Sequence, residues 1–262
     1  MASIENTFKR VLISCGVALG LGLSAASAAP VGIVNHSFEA DPNSFNEFFF
    51  GDPTGWTSID PGNILDGGLD VQGTLTVTGS NYFGGVAPDG NNVAILFLGG
   101  NDVGTGQEVG LGQVLSTDLA ANTQYTLSVD VGNIDSGAAQ NGTFFDLSGF
   151  PGYRIELLAG GVLLDSLTEG IDAQIGEGVF ALRELTFITG DSVLANQALE
   201  IRLFNLNLSD PAFSGPGVDL EVDFDNVRLD ATAIAMPEPG ALALLGFAVL
   251  ALGLTRQRIE AV

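Results

Sequence analysis

The feature that most constrains this chain is an alternation of apolar and polar residues with a period of two, repeated in short runs. Tyr125, Leu127, Val129 and Val131 alternate with Thr126, Ser128 and Asp130. Tyr153, Ile155 and Leu157 alternate with Arg154 and Glu156, Leu199, Ile201 and Leu203 with Glu200 and Arg202, and Leu220, Val222 and Phe224 with Glu221 and Asp223. A period of two sends successive side chains to opposite faces of a strand, so each run reads as a strand with one face on a core and the other in water. Turn-forming clusters such as Asp60-Pro61-Gly62-Asn63 and Pro88-Asp89-Gly90-Asn91 separate the runs. No long 3.6-residue pattern interrupts them between residues 29 and 235. The expectation is one all-β domain over 29–235, an antiparallel β-sandwich. In its last run the apolar residues are even-numbered up to Phe224 and odd-numbered from Val227 and Leu229. A one-residue bulge at Asp225-Asn226 would return both sets to the core and re-aim Asp225.

Charge narrows the partners. Between the two ends stand four arginines (Arg154, Arg183, Arg202 and Arg228), no lysine, and 28 of the chain's 31 acids. Such a field repels nucleic acid and favours cations, calcium above all, because carboxylate oxygens are its natural ligands. The single cysteine, Cys15, lies in the N-terminal apolar run, so no disulfide supports the domain.

Residues 1–28 have the order of a secretory signal peptide: Lys9 and Arg10, an apolar run from Val11 to Leu23, then Ala26-Ser27-Ala28, with cleavage expected after Ala28. Leu12-Ile13-Ser14-Cys15 also fits a lipobox. Only Val11 to Ser14 separate the charges from that cysteine, too few for the apolar region it needs. Residues 236–262 form a second tripartite segment: Pro237-Glu238-Pro239, an apolar stretch from Ala241 to Leu254, then Arg256 and Arg258. As a helix the stretch would span about 21 Å against a hydrocarbon core of about 30 Å. It reads as a single short hydrophobic helix, cut off from the domain by its prolines and anchored by its arginines. This order resembles the PEP-CTERM sorting signal, with Gln257 interrupting the basic run. The resemblance implies an exosortase-type membrane transpeptidase and a signal peptidase as processing partners. It also implies transient anchoring in the inner membrane and a final place on the cell surface or in an exopolysaccharide or biofilm matrix.

The ends of the middle domain carry a second resemblance. Val34-Asn35-His36-Ser37-Phe38-Glu39 opens it, Phe224-Asp225-Asn226-Val227-Arg228-Leu229 closes it, and Trp56 and the Pro88–Asn91 turn lie between. This is similar to the galactose-binding-like jelly-roll superfamily, which contains many carbohydrate-binding modules. The resemblance implies adjacent first and last strands and a structural calcium held by Glu39 and Asp225. The usual glycine-rich opening is replaced by His36-Ser37, which removes no carboxylate.

Catalytic patterns are sparse. The one histidine, His36, has no Gly-x-Ser-x-Gly elbow to serve and reads as a strand-edge residue. One histidine and one cysteine cannot build an ordinary zinc site, and no phosphate-binding loop is present. Phe48-Phe49-Phe50 reads as core, and Gly99-Gly100-Asn101-Asp102 as a loop. The expectation is a non-catalytic exported surface or matrix protein. Two alternatives stay open. One is a carbohydrate-binding module using Trp56 or Tyr82. The other is a glycoside-active enzyme with two carboxylates about 5–9 Å apart across a groove.

Overall fold

The computed structural model describes residues 27–41, 47–213 and 217–234. The signal segment up to residue 26 and the whole sorting segment, with Pro237, Glu238, Pro239, Arg256 and Arg258, lie outside the described residues.

The described chain is built of β-strands. In order they are β1 (Ala28–Val31), β2 (Phe48–Phe50), β3 (Thr57–Ile59), β4 (Asp70–Thr76), β5 (Asn92–Leu98), β6 (Val109–Asp118) and β7 (Thr123–Asn133). There follow β8 (Gly137–Ala138), β9 (Phe144–Phe145), β10 (Tyr153–Ala159), β11 (Val162–Glu169), β12 (Val179–Ile188), β13 (Ala198–Asn205) and β14 (Leu220–Ala233). The helical element among the described residues is one 3-10 turn, Phe83–Gly85. Two antiparallel sheets face each other: a seven-stranded sheet in the order β12-β7-β14-β5-β4-β2 with β1 on β14, and a five-stranded sheet in the order β11-β10-β13-β6-β3. The all-β sandwich is therefore as the alternation predicts. The first strand lies on the last, with Ala28 opposite Thr232 and Val31 opposite Leu229. Asn63 and Gly90 hold positive φ in the two turns that the sequence marks.

The four alternating runs become β7, β10, β13 and β14, and their apolar sets meet between the sheets. The bulge is real. β14 pairs β7 at Asp225↔Asp130 and resumes at Arg228↔Ser128, with Asn226 at φ 52°. Phe224, Val227 and Leu229 all reach the sandwich core as a result.

One expectation fails on the other face of the larger sheet. Glu221 and Asp223 do not point into water; they are 3% and 0% exposed. A second apolar layer covers them. It combines Leu75, Val93 and Ile95 from β4 and β5 with Val77, Tyr82, Phe83, Ile134 and Leu147 from the segments around 77–87 and 134–150, and Phe97 and Phe180 pack against it. Alternation shows only that the two faces differ, and a covered polar face has the same pattern as a wet one. Phe48 on the edge strand β2 is partly buried against this second layer, and Phe50, stacked on it at 5.7 Å, is half exposed.

Candidate active site

Because β14 runs through the middle of its sheet, its odd-numbered residues up to the bulge, Glu221, Asp223 and Asp225, form a row of buried acids, and Asp219 stands just before the strand. Side chains two apart on a strand share a face, so the row follows from the strand itself. Burial raises every one of them. Asp219 is pushed up to about 6, first by burial and then by the charges of Asp146 and Asp70. Glu221 is pushed up to about 8 by burial, with contact from Asp223 working against that and the charge of Asp219 adding to it. Asp223 is raised well above the usual carboxylate range by burial, then by Glu221 beside it and by Asp135. Two adjacent buried carboxyls cannot both ionise cheaply, so the pair holds at least one proton at neutral pH. Asp225 is pushed up to about 8 by burial, against the pull of two backbone N–H groups.

The strand neighbours make room for this row. Phe97 lies opposite Glu221 and Ile95 opposite Asp223. On the other side Gly132 pairs with both Asp223 and Phe180. A Cβ at Gly132 would come within 2.5 Å of the Phe180 ring and 3.0 Å of the Asp223 Cβ, so the glycine lets the ring close over the acid. Phe83 then packs on Phe180 at 4.2 Å.

Beside this lid the layer opens into a cavity of about 310 Å³, within the range of small-molecule sites. Its walls are aromatic and aliphatic: Phe48, Phe50, Val71, Ile95, Phe97 and Phe145. Its polar lining is Asn141, Asp219, Glu221 and Tyr82. Glu221 Oε1, both oxygens of Asp223 and the Tyr82 hydroxyl are buried without a hydrogen-bond partner. The arrangement is an apolar chamber floored by a carboxylic acid that stays neutral near pH 7. That is what a general acid requires.

The sequence-predicted sites fare differently. Tyr82 lines the cavity, as a fully buried residue of the second layer and not as an exposed sugar platform. Trp56 is a core residue, not a sugar platform. It is 3% exposed, packs on Phe38 at 5.4 Å, and its indole N–H donates to the Asn35 carbonyl. His36 is exposed, near Asp89 at 3.8 Å. Glu39 and Asp225 do converge, on the two ends of the Pro88–Asn92 turn. Glu39 Oε1 accepts from the N–H groups of Asn91 and Asn92 at 2.7 and 2.6 Å, and Asp225 Oδ2 accepts from the N–H of Asp89 at 2.8 Å. Among the described residues no group of three or more His, Cys, Asp or Glu side chains is arranged to hold a metal ion. Glu221 and Asp223 are neighbours on one strand, not two acids facing each other across a groove, so the glycoside-hydrolysing geometry is not made here.

Residues 29–230 match the family model of the HpiC1 cyclase. The chain belongs to the HpiC1-like cyclase family. It is 36% identical to a cyclase from Fischerella sp. TAU over 80% of its own length and all of that chain, with a TM-score of 0.65. A structure of a cyclase from the same organism in complex with 4-(1H-indol-3-yl)butan-2-one matches at 35% identity over the same shares, with a TM-score of 0.65. A Stig cyclase from that organism, in complex with (3Z)-3-(1-methyl-2-pyrrolidinylidene)-3H-indole, matches at 35% identity over 80% of this chain and all of that one, with a TM-score of 0.64. A comparison with curated proteins finds no match.

Membership of a cyclase family overturns the expectation of a non-catalytic matrix protein. It also replaces both resemblances as the chain's identity: the family is neither a PEP-CTERM matrix protein nor a carbohydrate-binding module, and not a glycoside-active enzyme. The sequence reading missed Glu221, Asp223, Phe97 and Phe145. One signal was present. Val93-Ala94-Ile95-Leu96-Phe97-Leu98 is an unbroken apolar run, as expected of a strand covered on both faces, and β5 lies beside β14.

Proposed function

We propose that this chain is a cyclase that closes a ring in an apolar, indole-bearing substrate by protonating it from Glu221. The observation that carries the reading is the Glu221 carboxyl, buried at the floor of an aromatic chamber and pushed up to about 8. A neutral acid there can pass its proton to an electron-rich carbon or nitrogen of an unsaturated side chain. The cation so formed is attacked by the substrate's own π bond, which closes the ring, and loss of a proton to the Glu221 carboxylate restores the acid. Substrate and product are then isomers. Phe48, Phe97 and Phe145 present ring faces that stabilise positive charge, and the chamber keeps water from capturing the cation. The indole ligands of the Fischerella cyclases support the substrate class.

The test uses an indole with an unsaturated side chain, in deuterium oxide, with wild type and Glu221→Gln. The expected result is one deuterium in the wild-type product and a 10²–10⁴-fold slower reaction, about the loss typical of removing a general acid, in the variant. An undiminished rate in Glu221→Gln would overturn the assignment.

Two further elements belong to this proposal. Calcium at the Glu39–Asp225 turn is supported by two carboxylates gripping one turn and by an Asp225 that lacks any cationic partner at hydrogen-bond distance. Millimolar calcium is expected to raise the melting temperature of wild type over that in chelator and not that of Asp225→Asn; a ligand at 100 times its dissociation constant adds about 2.7 kcal/mol. Export through the N-terminal signal is supported by Lys9, Arg10 and the Ala26-Ser27-Ala28 site, and intact mass of the secreted enzyme checks it.

A further inference from the structure

We infer that Tyr82 is the specificity-determining residue of the chamber: its hydroxyl is the donor that reads a hydrogen-bond acceptor on the substrate, so the enzyme selects apolar ligands carrying one such acceptor. The inference deepens the pocket reading above and rests on it.

The side chain is placed with unusual care for a group that bonds to nothing. Tyr82 is fully buried, lines the cavity, and its hydroxyl has no hydrogen-bond partner. A buried donor left unmade is costly, and native structures retain one where something else completes it. The ring cannot turn away to find a partner. Gly137 packs flat against it, so closely that a Cβ there would meet the ring at 3.0 Å, and Phe48 lies at 6.3 Å on another side. The backbone around it is pinned from the same cover. The Asn81 side-chain amide donates to the Ala138 carbonyl, and the Phe83 N–H donates to Asp135. Packing that fixes a rotamer in this way is what a selective site needs.

The chemistry of the hydroxyl is equally defined. Burial, and then the charges of Glu221, Glu47 and Asp135, raise its pKa further above the usual phenol value. It is therefore a proton-bearing donor throughout the working range and does not become a phenolate. Glu221, Glu47 and Asp135 lie near enough to act on it through charge, but none accepts its hydrogen, and Phe48, Ile134 and Phe145 carry no side-chain acceptor, which leaves that role to the ligand. A site built to complete such a bond discriminates strongly against an analogue that lacks the matching atom.

The test compares two probes by calorimetry on the whole enzyme: 4-(1H-indol-3-yl)butan-2-one, which has a ketone oxygen, and 3-butylindole, which has the same ring and chain length without it. Wild type should bind the ketone at least about tenfold more tightly, the size of one well-made buried hydrogen bond. Tyr82→Phe, which keeps the ring and its packing, should bind both alike, with an unchanged melting profile. Glu221→Gln should keep the preference, because the acid is not what reads the oxygen. Equal binding of the two probes by wild type, or a preference that survives in Tyr82→Phe, would overturn the role of Tyr82. Binding of neither probe to wild type would instead overturn the pocket reading itself, and this assignment with it.

Discussion

The two faces of strand β14 run through the same sheet and do opposite work. The inner face carries Leu220, buried, then Val222 and Phe224, and Val227 and Leu229 after the bulge, these four among apolar neighbours between the sheets. The outer face carries Asp219, Glu221, Asp223 and Asp225, three of them fully or almost fully buried with nothing of opposite charge beside them. The inner face stabilises; the outer face strains against folding. A set of buried acids with no cation beside it persists only where the surrounding structure forces it, and such places are where function concentrates. The inner face makes the outer one possible.

The comparison can be broken by exchanging the two kinds of damage. Glu221→Gln should remove most activity while leaving the melting temperature unchanged or higher, because it removes a buried titrating group at nearly constant volume. Phe224→Ala, three residues along on the core face, should cost about 3–5 kcal/mol of stability from the cavity it leaves, checked by denaturant unfolding. If both variants lost stability equally, the two faces would not be distinct.

Titration sharpens the contrast. Glu221 and Asp225 are pushed up to about 8 in the fold, whereas an unfolded carboxyl titrates near about 4. Between those values the native state binds more protons than the unfolded chain. Stability is then fully present at acid pH and falls as pH rises through the interval. Melting should therefore decline from pH 5 to pH 9, and Asp225→Asn should flatten that slope. A melting temperature that rises over this range would mean the acids are ionised in the fold. Rate should fall with rising pH as the Glu221–Asp223 pair, raised by burial, gives up its protons.

The smallest effect separates neighbours on the cover. Phe145 lines the cavity and meets Phe97 edge-on at 5.8 Å, whereas Phe144 is exposed. Phe144→Ala should change stability by no more than about 0.5 kcal/mol, the usual range for an exposed site. Phe145→Ala should lower activity at the same expression level, measured side by side.

The inner face was legible in the sequence because periodicity is a local signal. The runs at 125–131, 153–157, 199–203 and 220–224 named their core residues correctly, and the parity switch at Asp225-Asn226 located the bulge. The outer face was not legible. Its cover comes from Val77, Tyr82, Phe83, Ile134 and Leu147, which lie in segments with no period and gather only when the chain folds. Glu221 and Asp223 thus looked like any solvent-facing pair. Glu39 and Asp225 each hold the 89–92 turn through its N–H groups.

Strand β14 is also the last of the described strands to be synthesised, and it pairs with β1, β5 and β7. The centre of the larger sheet therefore stays vacant until residue 233 has emerged, and β5 and β7 wait with bare inner edges meanwhile. Pairing over such sequence distances is slow, and waiting edges are the kind that stick to other chains. Closure of the larger sheet is consequently a late step, governed by how well two half-built strands are shielded until β14 slides between them.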